Sequence, residues 1–216
     1  MKIEYLGHSC FRLTSQTGRT LVTDPYQGVG YELPQQLRAD IVTVSHGHFD
    51  HNNLAGVKDP LVIANEAKTY TFDGIRVRGI ESYHDPKQGG LRGKNIVYKI
   101  TIDGIAVCHL GDLGEAFNPA LVQAIGNCDV LLLPIGGTYT IDAAEAKRYA
   151  DAIQPKTIIP MHYRPKDGTL DITDEKGFLA LYSSEEITCI ENGCVELEQA
   201  VNTSTKIIFM ERTKAE

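Results

Sequence analysis

Hydrophobic and polar residues fall into a strand-like alternation from the second residue onward. Lys2–Leu6, Cys10–Thr14, Thr20–Thr23, Ile41–Ser45, Leu61–Ala64, Lys68–Phe72 and Ile75–Ile80 are short runs rich in β-branched and aromatic residues, punctuated by Gly, Asp and Pro, and they predict strands. Asn95–Ile102 and Ile105–Leu110 continue the series. The spacing then becomes helical over Glu115–Ile125, where Phe117, Ala120, Leu121, Ala124 and Ile125 share one stripe. Asp129–Pro134 is a continuous apolar run that suits a strand buried on both faces. Thr140–Ile153 predicts a second helix, with Asp142 and Glu145 in its first turn, where carboxylates complement the helix dipole. Thr157–Pro160 repeats the buried-strand pattern, Asp174–Tyr182 predicts a third helix, and Glu186–Ile190 and Lys206–Met210 close the chain as strands. With no repeat of fixed period and no linker, residues 1–216 read as one domain, in which sheets are covered by helices on their outer faces.

Composition narrows the class. At about 150 residues per domain, 216 residues favour one large domain. Apolar residues at 42% and charged residues at 23% exclude disorder and coiled coil. The 21 Lys+Arg against 28 Asp+Glu leave a net charge of −7, with the basic residues scattered, so nucleic acid is not an expected partner. Neither a secretory signal nor an apolar run near the ~18 residues of a membrane span is present, which predicts a cytoplasmic protein without membrane contact. Five cysteines without CxxC spacing read as reduced and structural, with Cys189 and Cys194 flanking a hairpin connection.

The chemistry concentrates where the strand Ile41–Ser45 runs into His46-Gly-His48-Phe-Asp50-His51. From the chain's own His and Asp frequencies, His-x-His-x-Asp-His is expected about 0.0005 times by chance, so a polar surface turn is a poor explanation. Alternate residues of an extended chain point the same way, which lets His46 and His48 grip one ion together. A turn then aims Asp50 and His51 toward a second position, and this donor set suits zinc, manganese or iron. His84, His109, Asp112 and His162 each end or follow a strand-like run and offer further donors. The two oxygens of Asp112 can serve one ion each.

This constellation resembles the metallo-β-lactamase superfamily, whose pattern is His-x-His-x-Asp-His, a lone His, a Gly-Asp and a late His. The resemblance implies an α/β, four-layer αββα sandwich over essentially the whole chain. It assigns His46, His48 and His84 to a first metal, Asp50, His51 and His162 to a second, and Asp112 to a bridge between them. Leu6-Gly-His-Ser-Cys-Phe11, Thr23-Asp-Pro25 and Pro134-Ile-Gly-Gly-Thr-Tyr-Thr140 are similar to a small branch typified by L-ascorbate-6-phosphate lactonase. In such folds the aspartate ending an early strand, here Asp24, orients the ligand loop. The chain is too short for the added domains of the superfamily's RNA-processing nucleases or of glyoxalase II.

Other residues have an ordinary reading beside a functional one. His8 stands either beside the pocket or in a structural hydrogen bond. His109 reads better as a satisfied buried histidine and is left out of the ligand set. Thr138 and Tyr139 either face the site or serve turn geometry, and Asp85–Asn95 is either a loop over the pocket or a solvated hairpin.

The expected activity is metal-dependent hydrolysis of a small ester, lactone, amide or phosphoester by a hydroxide shared between two divalent metals, zinc first among them, with Asp50 positioning it. Two such ions carry four positive charges, and Asp50 and Asp112 return two negative ones, so an anionic small molecule is the expected substrate. A phosphodiesterase or nuclease is the alternative within enzymes, and a noncatalytic metal-binding interaction protein the alternative outside them. A homo-oligomer remains open.

Overall fold

The computed structural model describes residues 1–198 and 206–213. β1 (Lys2–Gly7), β2 (Cys10–Thr14), β3 (Thr20–Thr23), β4 (Ile41–Thr43), β5 (Val62–Ala64), β6 (Thr69–Phe72), β7 (Ile75–Tyr83), β8 (Lys94–Ile102) and β9 (Ile105–His109) precede α1 (Pro119–Ile125). β10 (Val130–Pro134), α2 (Ala143–Ile153), β11 (Thr157–Met161), α3 (Lys176–Leu179), β12 (Ile187–Ile190), β13 (Cys194–Glu196) and β14 (Lys206–Met210) follow. They build a six-stranded sheet, β13-β1-β2-β3-β4-β5, and an eight-stranded sheet, β12-β14-β11-β10-β9-β8-β7-β6.

The alternation read from the sequence decides which face meets which layer. Ile3, Tyr5, Phe11, Leu13, Leu21 and Ile41 enter the main core with Tyr98, Ile100, Val107 and Leu132 of the larger sheet. Leu6, Cys10, Val22 and Val42 point the other way and pack with Tyr26, Val29, Leu37 and Val57. The apolar run of β10 is buried throughout, and Leu131, Leu132 and Leu133 each contribute about 1.5–3 kcal/mol by leaving water. α2 packs on β10 and touches α1 and α3. This is the expected mixed α/β sandwich, with one difference in thickness: residues 25–40 and a 3-10 turn at Leu54–Gly56 form the layer over the smaller sheet.

Caps move the helix starts inward from the predicted ones. Asn118 Oδ1 accepts from Ala120 N at 3.0 Å and Leu121 N at 3.3 Å, and Pro119 fits the first turn, so α1 starts four residues after Glu115. Asp142 accepts from Glu145 N at 2.9 Å and starts α2 after Thr140. The predicted third helix shortens to the single turn α3. Cys189 and Cys194 do not flank a hairpin, because β12 pairs with β14 while β13 pairs with β1, so the chain crosses between sheets there.

Strand direction gathers the polar turns at one end. β1 is antiparallel to β2 and β2 to β3, so β1 runs with β3 and with β4. β7 and β9 are both antiparallel to β8, and β9, β10 and β11 are parallel. Cross-sheet hydrogen bonds bring the two sets of exits together: Tyr98 Oη donates to Val44 O at 2.9 Å, Ile96 N to Ser45 O at 2.9 Å, and His162 N to His8 O at 2.9 Å.

Candidate metal centre

The turns leaving β1, β3, β4, β7, β9 and β11 carry His8, Asp24, the His46–His51 segment, His84, Asp112 and His162. His46, His48 and His84 form one donor group, with one nitrogen of each within 4.8 Å of the others and His46 Nε2 at 3.1 Å from His48 Nδ1. His48 is exposed, whereas the His46 and His84 side chains are buried. A second group joins His8, Asp50, His51 and His162. There His8 Nε2 lies 3.2 Å from both Asp50 Oδ2 and His51 Nε2. Asp112 stands between the groups: Oδ2 is 3.2 Å from His84 Nε2 and 3.2 Å from His162 Nε2, and Oδ1 is 3.1 Å from His51 Nε2. The seven residues that the resemblance assigns to metal are therefore neighbours in space, and His8 is an eighth.

Asp24 organises this cluster without entering it. One oxygen accepts from Ser45 N at 2.8 Å, and the other accepts from His51 Nδ1 at 2.9 Å and from the Ser45 hydroxyl. The Ser45 oxygen lies 3.0 Å from His46 Nδ1 and, with its own hydrogen donated to Asp24, accepts a hydrogen bond from that nitrogen. Both imidazoles thus carry hydrogen on Nδ1 and turn Nε2 toward the cluster. Burial alone would raise the Asp24 carboxyl, but the bonds from His51 and Ser45, with the nearby His109, hold it below its ordinary value. Burial pushes His8 down to about 4 and His46 to about 3, helped by the neighbouring His162 and His51 respectively. Each is neutral near pH 7, the state a metal ligand needs. His51 is the exception: burial opposes its charge, yet Asp112 and Asp24 raise it well above the usual histidine range.

Asn95 was not singled out from the sequence, yet it sets the Asp112 turn. Fully buried, it accepts from Asp112 N at 2.9 Å and donates to Ser82 Oγ at 2.8 Å and Leu110 O at 2.9 Å. A single polar residue at a strand start leaves no sequence signal for that role. Gly111, at φ +56°, is required here because a Cβ would collide with Asn95 and Ser45. His109 uses both ring nitrogens elsewhere: Nε2 donates to Ser9 O at 2.8 Å and Nδ1 accepts from Gly111 N at 3.1 Å. It ties the two sheets together and has no lone pair left for an ion.

The donors fit metal ions by an internal test. Asp112 Oδ1, both nitrogens of His162 and His84 Nδ1 are buried without a hydrogen bond, which is costly unless something else satisfies them. In a tetrahedral zinc site with bonds of about 2.0–2.1 Å, neighbouring donors are separated by about 3.3 Å. The 3.1–3.2 Å spacings across this cluster match that edge. Imidazole with carboxylate is the borderline donor set of zinc, manganese and iron.

Phe49, within the ligand turn, and Leu91 and Tyr139 expose apolar surface. Asp85 accepts four backbone N–H groups, from Lys87, Gly89, Leu91 and Arg92, and so folds the 85–95 connection. Arg92 donates to Thr138 O at 3.1 Å and stacks over Tyr139. Thr138 and Tyr139 are exposed, and they meet Arg92 rather than the donor cluster. A cavity of about 500 Å³ flanks His46, lined among others by Asn52, Asn65, Glu66 and Lys94.

Comparison with known proteins agrees with this geometry. The family model described as "Beta-lactamase superfamily domain" matches residues 2–162. A UPF0173 metal-dependent hydrolase of Methanoregula boonei is 35% identical over 76% of this chain and 82% of its own length. Another, from Thermoplasma acidophilum, is 31% identical over 84% of this chain and 90% of its own. A crystal structure from Thermotoga maritima, assigned as a Zn-dependent hydrolase of the metallo-β-lactamase superfamily, superposes with a TM-score of 0.77 at 37% identity and covers 97% of this chain and 98% of that one. The chain belongs to the metallo-β-lactamase superfamily. Within it, the chain falls in the family of UPF0173 metal-dependent hydrolases and is an enzyme of that class.

Proposed function

We propose that this enzyme hydrolyses a small, anionic ester, lactone, amide or phosphoester at a dinuclear metal centre, with zinc as the first candidate metal and manganese or iron as alternatives. The observation that carries the reading is the pair of donor groups on either side of Asp112, one of them open to solvent through His48. His46, His48 and His84 would hold one ion, Asp50, His51 and His162 the other, and Asp112 both. Such ions supply Lewis acidity toward the scissile carbonyl or phosphoryl oxygen and make water a nucleophile near neutral pH.

The chain's own groups do the rest. Asp50, with its side chain 13% exposed, reaches the edge of the cluster, where it orients the attacking water by accepting a hydrogen bond from it. Burial raises the Asp50 carboxyl, but the His8 contact and the charge of His51 outweigh it and hold Asp50 well below the ordinary range, so it is ionised, the state in which it would ligate a metal and accept a hydrogen bond from water. Asp24 and Ser45 keep the His51 and His46 rings from rotating. Lactones similar to phosphorylated ascorbate lactone head the substrate candidates, on the strength of the LGHSCF and IGGTYT segments. A single hydrolase domain acting in the cytoplasm is consistent with five unpaired cysteines and with the absence, among the described residues, of any helix long and apolar enough to cross a membrane.

The test combines metal analysis by plasma mass spectrometry with a panel of lactones, nitrophenyl esters and phosphodiesters. About two equivalents of metal, falling in His46→Ala and Asp112→Asn, with turnover that a chelator removes and the metal restores, is the expected result. Less than one equivalent after reconstitution with zinc, manganese or iron would overturn it in favour of a noncatalytic interaction protein.

A further inference from the structure

The resemblance gives the buried position three donors of its own, yet the structure surrounds it with four. We infer that His8 is a direct protein ligand of the buried ion, closing that position, so that water and substrate exchange at the open position held by His46, His48 and His84. This rests on the dinuclear reading above and assigns a residue that the ligand pattern does not contain.

Three observations carry it. His8 Nε2 makes two edges of the donor polyhedron, each 3.2 Å, one to His51 Nε2 and one to Asp50 Oδ2, and His162 completes the group. A separation of 3.2 Å between two ring nitrogens also matches that of two donors on one small cation, about 3.3 Å. Second, His8 is 1% exposed and its backbone is clamped: its N–H donates to Tyr31 Oη at 3.0 Å, and its carbonyl accepts from His162 N at 2.9 Å and Tyr5 Oη at 3.1 Å. Third, His8 and His162 both hold left-handed backbone, at φ 53° and 50°. A histidine there costs conformational energy, and strain of this kind persists where surrounding structure imposes it on a functional position.

The consequence is an asymmetric pair. Counting His8, the buried position has four protein donors before Asp112 is shared, which is the closed arrangement of a tightly held ion, whereas the three imidazoles of the other position leave room for an exchangeable ligand. With the ion bound, the His8 ring carries its proton on Nδ1 and presents the Nε2 lone pair.

Nuclear magnetic resonance of the full chain, loaded with ¹¹³Cd²⁺ and labelled with ¹⁵N-histidine, distinguishes ligation from outer hydrogen bonding, since only a directly bonded nitrogen shows a one-bond coupling to cadmium. The expected spectrum has one cadmium resonance coupled to nitrogens of His8, His51 and His162, and His8→Gln removes one coupling while keeping the other two. Couplings at His51 and His162 with none at His8 would overturn the assignment and leave His8 a positioning residue for Asp50. Absence of coupling at His51 and His162 as well would overturn the dinuclear reading itself, and His8 with it. Should His8→Gln fail to fold, the wild-type spectrum, with His8 assigned by sequential labelling, still decides the question.

Discussion

The two halves of the donor cluster are built differently. The open half takes two of its three imidazoles from one turn after β4, and His48 within it is exposed. The buried half collects side chains from the ends of β1, β4 and β11, fixes His51 through Asp24, and joins His8 to His162 by a backbone hydrogen bond. Donors held by several independent elements are locked before an ion arrives, while donors on one exposed turn can yield to an incoming ligand. One sandwich thus supplies a rigid donor group and a more open one, with Asp112 Oδ2 lying 3.2 Å from a nitrogen of each, His162 Nε2 and His84 Nε2.

Breaking the link between the halves has the largest expected effect. Asp112→Ala removes the carboxylate that contacts both, and turnover should fall by roughly 10³-fold or more, corresponding to several kcal/mol of transition-state stabilisation. Metal analysis should show both equivalents reduced. His48→Ala attacks the open half alone and should leave about one equivalent of metal, with activity lost. If both equivalents vanished together, the halves would not be independent.

Asp24→Asn sharpens the comparison from the other side. It disturbs His51 directly and His46 only through Ser45, so affinity at the buried position should weaken by roughly 10–100-fold, and the open position by less, in a competition titration with a chromophoric chelator. The smallest effect belongs to the 85–95 connection. Arg92→Ala should leave metal content unchanged and raise KM for an anionic substrate by no more than about fivefold, since an exposed charge pair contributes about 0.2–1 kcal/mol. An unchanged KM would remove Arg92 from substrate binding.

Much of this comparison was legible before any coordinates. The six-residue motif, the strand-end placement of His84, Asp112 and His162, and the apolar run of β10 are local patterns, and local patterns survive in a sequence. The partition of the donors came from family resemblance, because no spacing rule tells which of two ions a distant histidine faces. What stayed hidden depends on strand exits meeting across two sheets. His8 lies 42 residues from Asp50 and reaches it only because β1 and β4 run in the same direction and leave their sheet at the same end. Asn95 acts through a backbone N–H 17 residues away. The short β13 leaves no sequence signal, because three residues that complete a foreign sheet edge carry almost no periodicity. The 85–95 connection read as a solvated hairpin or a loop, and its order comes from one carboxylate, Asp85, that gathers its amides.

The central claim is a pair of inequivalent metal positions sharing Asp112, and the most direct measurement is anomalous diffraction at the zinc edge from zinc-loaded crystals. The account predicts two peaks flanking Asp112, one among His46, His48 and His84 and one among His8, Asp50, His51 and His162, with the second retained longer as zinc is withdrawn. A single peak, or peaks that do not contact Asp112, would contradict it.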